Sequence, residues 1–130
     1  MVTTKFDPHL DLILVDVEID GPRRQRQFTF ALDTACTETL VAHHALDQIG
    51  YQARDGESIA TVTSALGQEQ GYRLRVTRFQ ALGHAFESFR VNVQDLPDNV
   101  GIDGLLGLNF LRHLNYEIRS KEGRIVAELA

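Results

Sequence analysis

Two acidic segments carry the chemistry open to this chain. Asp33-Thr34-Ala35 ends the apolar run Phe28-Thr29-Phe30-Ala31-Leu32, and Ile102-Asp103-Gly104-Leu105-Leu106-Gly107 answers it much later. A carboxylate delivered at the end of an apolar strand is a costly placement. It must be hydrogen-bonded, paired or protonated. Two such segments in a chain that reads as mostly strand point to water activated between two carboxylates, and so to hydrolysis of a peptide bond.

The elements that must hold these residues follow from periodicity. Ile13, Val15, Val17 and Ile19 alternate with Asp16, Glu18 and Asp20, the pattern of a half-buried strand. Gly21-Pro22 breaks it, and Phe28, Phe30 and Leu32 then form the return strand that runs into Asp33. After Thr39-Leu40-Val41 the period changes: Ala42, Ala45, Leu46 and Ile49 predict a short helix, with Gly50 as its stop. Ile59 to Thr63 and Tyr72 to Val76 predict a long hairpin whose small-residue tip runs from Ser64 to Gln68. Phe89, Val91 and Val93 form another strand, closed by Leu96-Pro97-Asp98-Asn99. Gly107 to His113 predicts a second short helix. Tyr116 and Ile118, a turn over Ser120 to Gly123, and Ile125, Ala127 and Leu129 predict a closing hairpin. The expected fold class is all-β, a closed barrel with one or two short helices.

Length and charge narrow the partners. The chain has 130 residues, 43% of them hydrophobic, and reads as a single domain over residues 1–130. Its formal charge of −5 argues against a nucleic-acid partner, which needs a basic excess on one face. Arg23, Arg24 and Arg26 read as a solvated hairpin end. The lone Cys36 excludes an intrachain disulfide. No apolar run approaches the ~20 residues that cross a bilayer, and the N-terminus shows no signal-peptide core. The expectation is a soluble, cytoplasmic protein.

The ordered set Leu32-Asp33-Thr34, helix, glycine-tipped hairpin and Asp103-Gly-Leu-Leu-Gly-Leu-Asn-Phe-Leu111 resembles the retropepsin-like aspartic proteases over roughly residues 9–129. The resemblance implies a homodimer in which each chain supplies half of the active site. Asp33 of each protomer then forms the catalytic dyad, and Thr34 locks the two loops together. Leu105, Leu106 and Gly107 provide a dry floor beneath Asp33. Ser64, Ala65, Leu66 and Gly67 form a flap over an extended peptide or protein substrate. It implies no metal and no organic cofactor. The C-terminal strand from Arg124 to Ala130 is a candidate for the dimer sheet.

One position departs from the pattern, since Ala35 stands where the family has glycine. At negative φ an alanine costs little and its N–H still orients the carboxylates; at positive φ it strains the loop by roughly 1–2 kcal/mol. Two readings therefore stand: an active aspartic endopeptidase, or a catalytically impaired dimer that binds extended peptides. A site built from two different chains is a third.

Other groups read as structural. Cys36 is expected as a small residue packed under the loop, with thiol oxidation or thiol catalysis as weaker alternatives. His43 and His44 point about 100° apart on a helix, so they cannot share a metal. Asp95, Asp98 and Asp103 read as a solvated loop. Tyr72 and Phe79 are expected in the core, and Asn109 as a brace for the second helix. The side chains around the cleaved bond are expected to be apolar, because residues such as Leu66 would wall the site.

Overall fold

The structure, a computed structural model, describes residues 1–64, 67–96 and 101–130, and all their side chains except those of residues 60–64 and 67–70. Ten strands are described: β1 (Val2–Lys5), β2 (Leu14–Asp20), β3 (Gln25–Leu32), β4 (Leu40–Ala42), β5 (Ser58–Ser64), β6 (Gly67–Ala81), β7 (His84–Gln94), β8 (Gly104–Leu106), β9 (Leu114–Arg119) and β10 (Arg124–Leu129). Two short helices, α1 (His43–Ile49) and α2 (Leu108–Leu111), complete the set with a single 3-10 turn at Ala53–Asp55. The larger sheet runs β2-β3-β8-β4-β7-β6-β5, and pairing of β2 with β6 closes its first six strands into a barrel. The remaining sheet has the order β1-β10-β9.

Alternation along β2 and β3 sends Val15, Val17, Ile19, Phe28 and Phe30 inward, as the period requires. They pair in the register Val15↔Phe30 and Val17↔Phe28. Inside the barrel Phe79 packs against Phe30, Phe89 and Phe110 with ring centroids 4.7–5.8 Å apart. Those angled contacts suit the ring quadrupoles as well as the shape of the core. Helix α1 buries Ala45, Leu46 and Ile49 against the barrel and ends at Gly50 with φ 100°, where only glycine avoids strain.

Several elements differ from expectation. The hairpin end carrying Arg23, Arg24 and Arg26 is exposed, as expected, but it also makes contacts the sequence does not announce: the Arg23 N–H and the Arg24 Nε donate to the carbonyls of Ile49 and Gln48, completing the helix terminus. Strand β7 begins at His84, joined to β6 through Leu82-Gly83, both at positive φ (52° and 80°). That is a two-residue hairpin turn with the usual glycine in second place but a leucine where asparagine, aspartate or glycine is the rule. Helix α2 is only four residues long. Strand β10 pairs with β9 over Arg124–Leu129 on one edge and with β1 over Arg124–Ala127 on the other, so only Glu128 and Leu129 are left without a partner on the β1 edge. The flap residues Ala65 and Leu66, with Pro97, Asp98 and Asn99, lie outside the described residues. No described helix is long and apolar enough to cross a membrane.

Three-residue β8 is the piece that joins the two acidic segments. It lies parallel to β3, with Ala31↔Leu105 and Leu32↔Leu106, and antiparallel to β4 on its other edge. Gly104 makes this possible, because a Cβ there would meet the Leu40 carbonyl oxygen and the Phe30 ring. Gly104→Ala is expected to destabilise the fold by about 1–3 kcal/mol in urea denaturation. Unchanged stability would show that the β3–β8–β4 junction is looser than this geometry.

Candidate functional site

Asp33 is half-buried at the end of β3. Its N–H donates to the Leu106 carbonyl at 3.0 Å, so the last rung of the β3–β8 pairing fixes its backbone. A tight turn follows: the Cys36 N–H donates to the Asp33 carbonyl at 3.2 Å, and the Ala35 N–H donates to Asp33 Oδ1 at 2.9 Å. Thr34 and Ala35 are exposed. Among the described residues, the non-glycine positive-φ positions are Leu82 and Ser88, so Ala35 carries no left-handed strain. Its methyl group leaves the N–H to carboxylate bond intact.

The turn is held from below by a network the sequence shows only in part. Thr39, fully buried, donates its hydroxyl to Asn109 Oδ1 at 2.7 Å and accepts from the Gly107 N–H at 3.1 Å. The Thr39 N–H also donates to Asn109 Oδ1, at 2.8 Å, while Asn109 Nδ2 donates to the Arg90 carbonyl. The Leu108 and Asn109 N–H groups donate to the Cys36 and Thr37 carbonyls. Asn109 therefore braces the loop as well as the helix. A Cβ on Gly107 would stand 2.6 Å from the Cys36 carbonyl oxygen, which explains the glycine.

The floor residues divide. Leu106 is fully buried in the core, whereas Leu105, one step along the strand, is half-exposed on the outer face of the barrel. Directly opposite Leu105 across the sheet is Leu40. Ala31, Leu40, Ala42 and Ile102 are buried yet stand apart from the continuous core, so a second apolar patch lies on the outer face beside Asp33.

Next to that patch is a charged cluster that no local pattern announces. Arg73 Nε donates to Glu38 Oε2 at 3.0 Å, and Asn92 Nδ2 donates to the same oxygen at 3.2 Å. Glu38 follows Asp33 closely, while Arg73 lies on β6, so the pair ties the loop to the base of the β5–β6 hairpin. Alternation marks Arg73 only as an outward residue of its strand. Its partner emerges only from the fold.

The remaining titratable groups are structural. Asp103 is not a solvated loop residue: its Oδ2 accepts from the Thr29 N–H, its Oδ1 lies 3.0 Å from His44 Nε2, and its carbonyl accepts from the Ala42 N–H. It thus joins β3, α1 and the approach to β8. Asp95 is exposed, with His43 at 3.8 Å. Tyr72 packs partly buried against the core and Phe79 is fully buried. Cys36 Sγ donates to the Glu38 carbonyl. Burial first, and then the charge of Asp33, pushes its thiol up to about 11. At neutral pH it is therefore protonated, which disfavours both thiol catalysis and an oxidation switch.

A family model described as "Aspartyl protease" matches residues 15–110. Among solved structures, the chain is similar to a retropepsin-like aspartic protease from Rickettsia conorii. The TM-score is 0.73 at 15% identity, covering 99% of this chain and 91% of that one. No curated protein matches the sequence.

Two outcomes follow from this geometry. Thr39→Val leaves the Gly107 N–H without its acceptor and is expected to cost about 1–3 kcal/mol in urea denaturation; a smaller loss would mean the clip is dispensable. Cys36 is expected to react with a disulfide reagent more slowly than a free thiol at pH 8, with a rate still rising above pH 9, since the folded thiol ionises late. A rate that levels off near pH 8.5 would contradict its buried setting.

Proposed function

The chain belongs to the aspartyl protease family, and from that premise we propose that it is an endopeptidase whose active site forms where two copies bring their Asp33 loops together. The observation that carries this reading is the Asp33 turn. Its carboxylate is oriented by the Ala35 N–H at ordinary backbone geometry, and its backbone is anchored to β8. The position that departs from the family pattern thus keeps the hydrogen bond an oriented acid needs.

One chain contains a single Asp-Thr step, so the second carboxylate is that of a second copy. Two carboxylates within about 3 Å share one proton. The unprotonated one takes a proton from the lytic water as that water attacks the scissile carbonyl. The protonated one donates to the carbonyl oxygen, and the proton returns through the pair to the leaving amine. The proton belongs to the dyad rather than to either residue. In this reading Thr34, which is exposed in the single chain, meets its symmetry mate in the dimer. Leu106 and Gly107 keep the loop from shifting, which matters because a displacement of ~1 Å can cost ~100-fold in rate. The substrate is an extended peptide lying along the outer face beside Ala31, Leu40 and Leu105, under the β5–β6 hairpin with its Ser64 to Gly67 tip as the flap.

Cleavage of a mixed peptide library between about pH 4 and 7, the range over which a shared-proton dyad works, tests the proposal. Asp33→Asn is expected to lose turnover by on the order of 10³-fold or more while keeping its fold and dimerisation. Ala35→Gly is expected to change the rate by less than about tenfold, because the loop needs no positive φ at that position. Retained turnover in Asp33→Asn would overturn the dyad. A folded wild-type dimer that binds peptides without cleaving them would support the impaired, peptide-binding alternative.

A further inference from the structure

An open groove of about 430 Å³ lies between the β6–β7 pair and the end of α2, and the proposed chemistry does not use it. That is room enough for a side chain or a small ligand. Its floor is aromatic: half-buried Phe86 packs against the His113 ring with centroids 4.6 Å apart, and Phe89 lies beside it. Glu38 and Asn109, which tie down the Asp33 loop, line the groove as well. Asn109 Nδ2 also donates to the Arg90 carbonyl at 2.9 Å. The groove thus begins where the candidate site ends.

Its β6–β7 rim is cationic. Arg75 and Arg90 are directly opposed across the two strands, a placement in which like charges repel. Arg75 is held, with Nε 3.0 Å from Glu57 Oε1 and Nη1 donating to the Ser88 carbonyl at 3.0 Å. Arg90 is exposed, and no carboxylate stands within ion-pair distance of it among the described residues. Beside it Ser88 takes φ 50°, a strained position for a serine and of a kind that gathers at functional sites. The acids in the groove do not neutralise this rim. Both oxygens of Glu38 are taken, by Arg73 and Asn92. Glu87 stands three residues from Arg90 along β7, roughly 10 Å of extended strand.

A guanidinium offers donors only and a carboxylate acceptors only, so a carboxylate is the complement of Arg90 and the remaining N–H groups of Arg75. Position along the strand says which carboxylate. Asn92, two residues from Arg90 on the same face of β7, is in register with Leu40, which walls the proposed peptide groove. Two strand residues span about 7 Å, and an extended peptide covers that in two or three of its own residues. We infer that the groove is a secondary specificity site for an aspartate or glutamate of the bound peptide, lying a few residues outside the cleaved bond. Its carboxylate pairs with Arg90 and relieves the repulsion from Arg75, and its methylene stem lies over Phe86. A lysine there would face both arginines, and a glutamine would lack the charge. This rests on the peptide groove proposed above, and it leaves the residues next to the cleaved bond apolar.

The test uses fluorescent peptides of about twelve residues, long enough to cross both grooves, with Glu, Gln or Lys placed at each position in turn. Cleavage by the wild type and binding to Asp33→Asn are measured in parallel, with glutarate as a free dicarboxylate probe. One outlying position is expected to favour Glu over Gln by about fivefold in cleavage and in binding, with Lys below both. That preference is expected to shrink as salt is raised. Arg90→Gln is expected to bring Glu and Gln level, and Glu87→Gln to widen the gap. Both positions are exposed, and thermal melting checks the fold of each variant. No acid preference at any outlying position, or one that survives Arg90→Gln, overturns the inference and leaves the protease reading intact. Glutarate binding that Arg90→Gln abolishes, with no preference among the peptides, assigns the groove to a small carboxylate and likewise overturns it. Acid-selective binding without cleavage supports the inference and overturns the protease reading. Absence of both cleavage and binding overturns the two together.

Discussion

Everything at the candidate site depends on how the Asp33 loop is clipped onto β8 and α2. A carboxylate at a strand end would be free to rotate with its turn if only the strand held it. Here the Asp33 N–H is taken by Leu106, and the exit of the turn is taken by Thr39, Gly107 and Asn109. These bonds join residues far apart in sequence and lie largely out of water, where an unmade hydrogen bond costs most. The clip therefore forms as a unit with the barrel. Gly104 and Gly107 serve the same end, since each is a place where backbone must touch backbone.

That arrangement explains how an alanine sits in a loop whose family pattern has glycine. The demand for glycine in such a setting is either a left-handed φ or a close approach. Ala35 is exposed and is not among the positive-φ residues. The close approaches fall instead at Gly104 and Gly107, beneath the loop. The departure in sequence is thus not a departure in local geometry, and the proposed chemistry does not need the glycine for backbone reasons.

What could be read from the sequence was what local periodicity controls. The β2–β3 hairpin, the stretch ending at Gly50 and the closing β9–β10 hairpin each show their buried faces within a few residues of one another. Strand β1 did not stand out, because four residues of VTTK have no pattern until Arg124–Ala127 lies beside them. Strand β8 is too short to show a period, and its parallel partner β3 is distant. The turn at Leu82-Gly83 escaped because a buried leucine occupies a left-handed position. At the site, the Asp33 segment and the apolar-apolar-glycine segment were legible as motifs. Thr39, Glu38, Arg73 and the binding of Asp103 to Thr29 and His44 were not, since each acts through a partner that only the folded barrel brings near.

The central claim is that one active site needs an Asp33 from each of two copies. Mixing wild-type and Asp33→Asn chains under exchange, at constant total protein, tests it most directly. If both carboxylates of a dimer are required, an equal mixture keeps about a quarter of the wild-type activity, and activity falls with the square of the wild-type fraction. A linear fall, with about half the activity remaining in the equal mixture, would mean each chain works alone and would contradict the account.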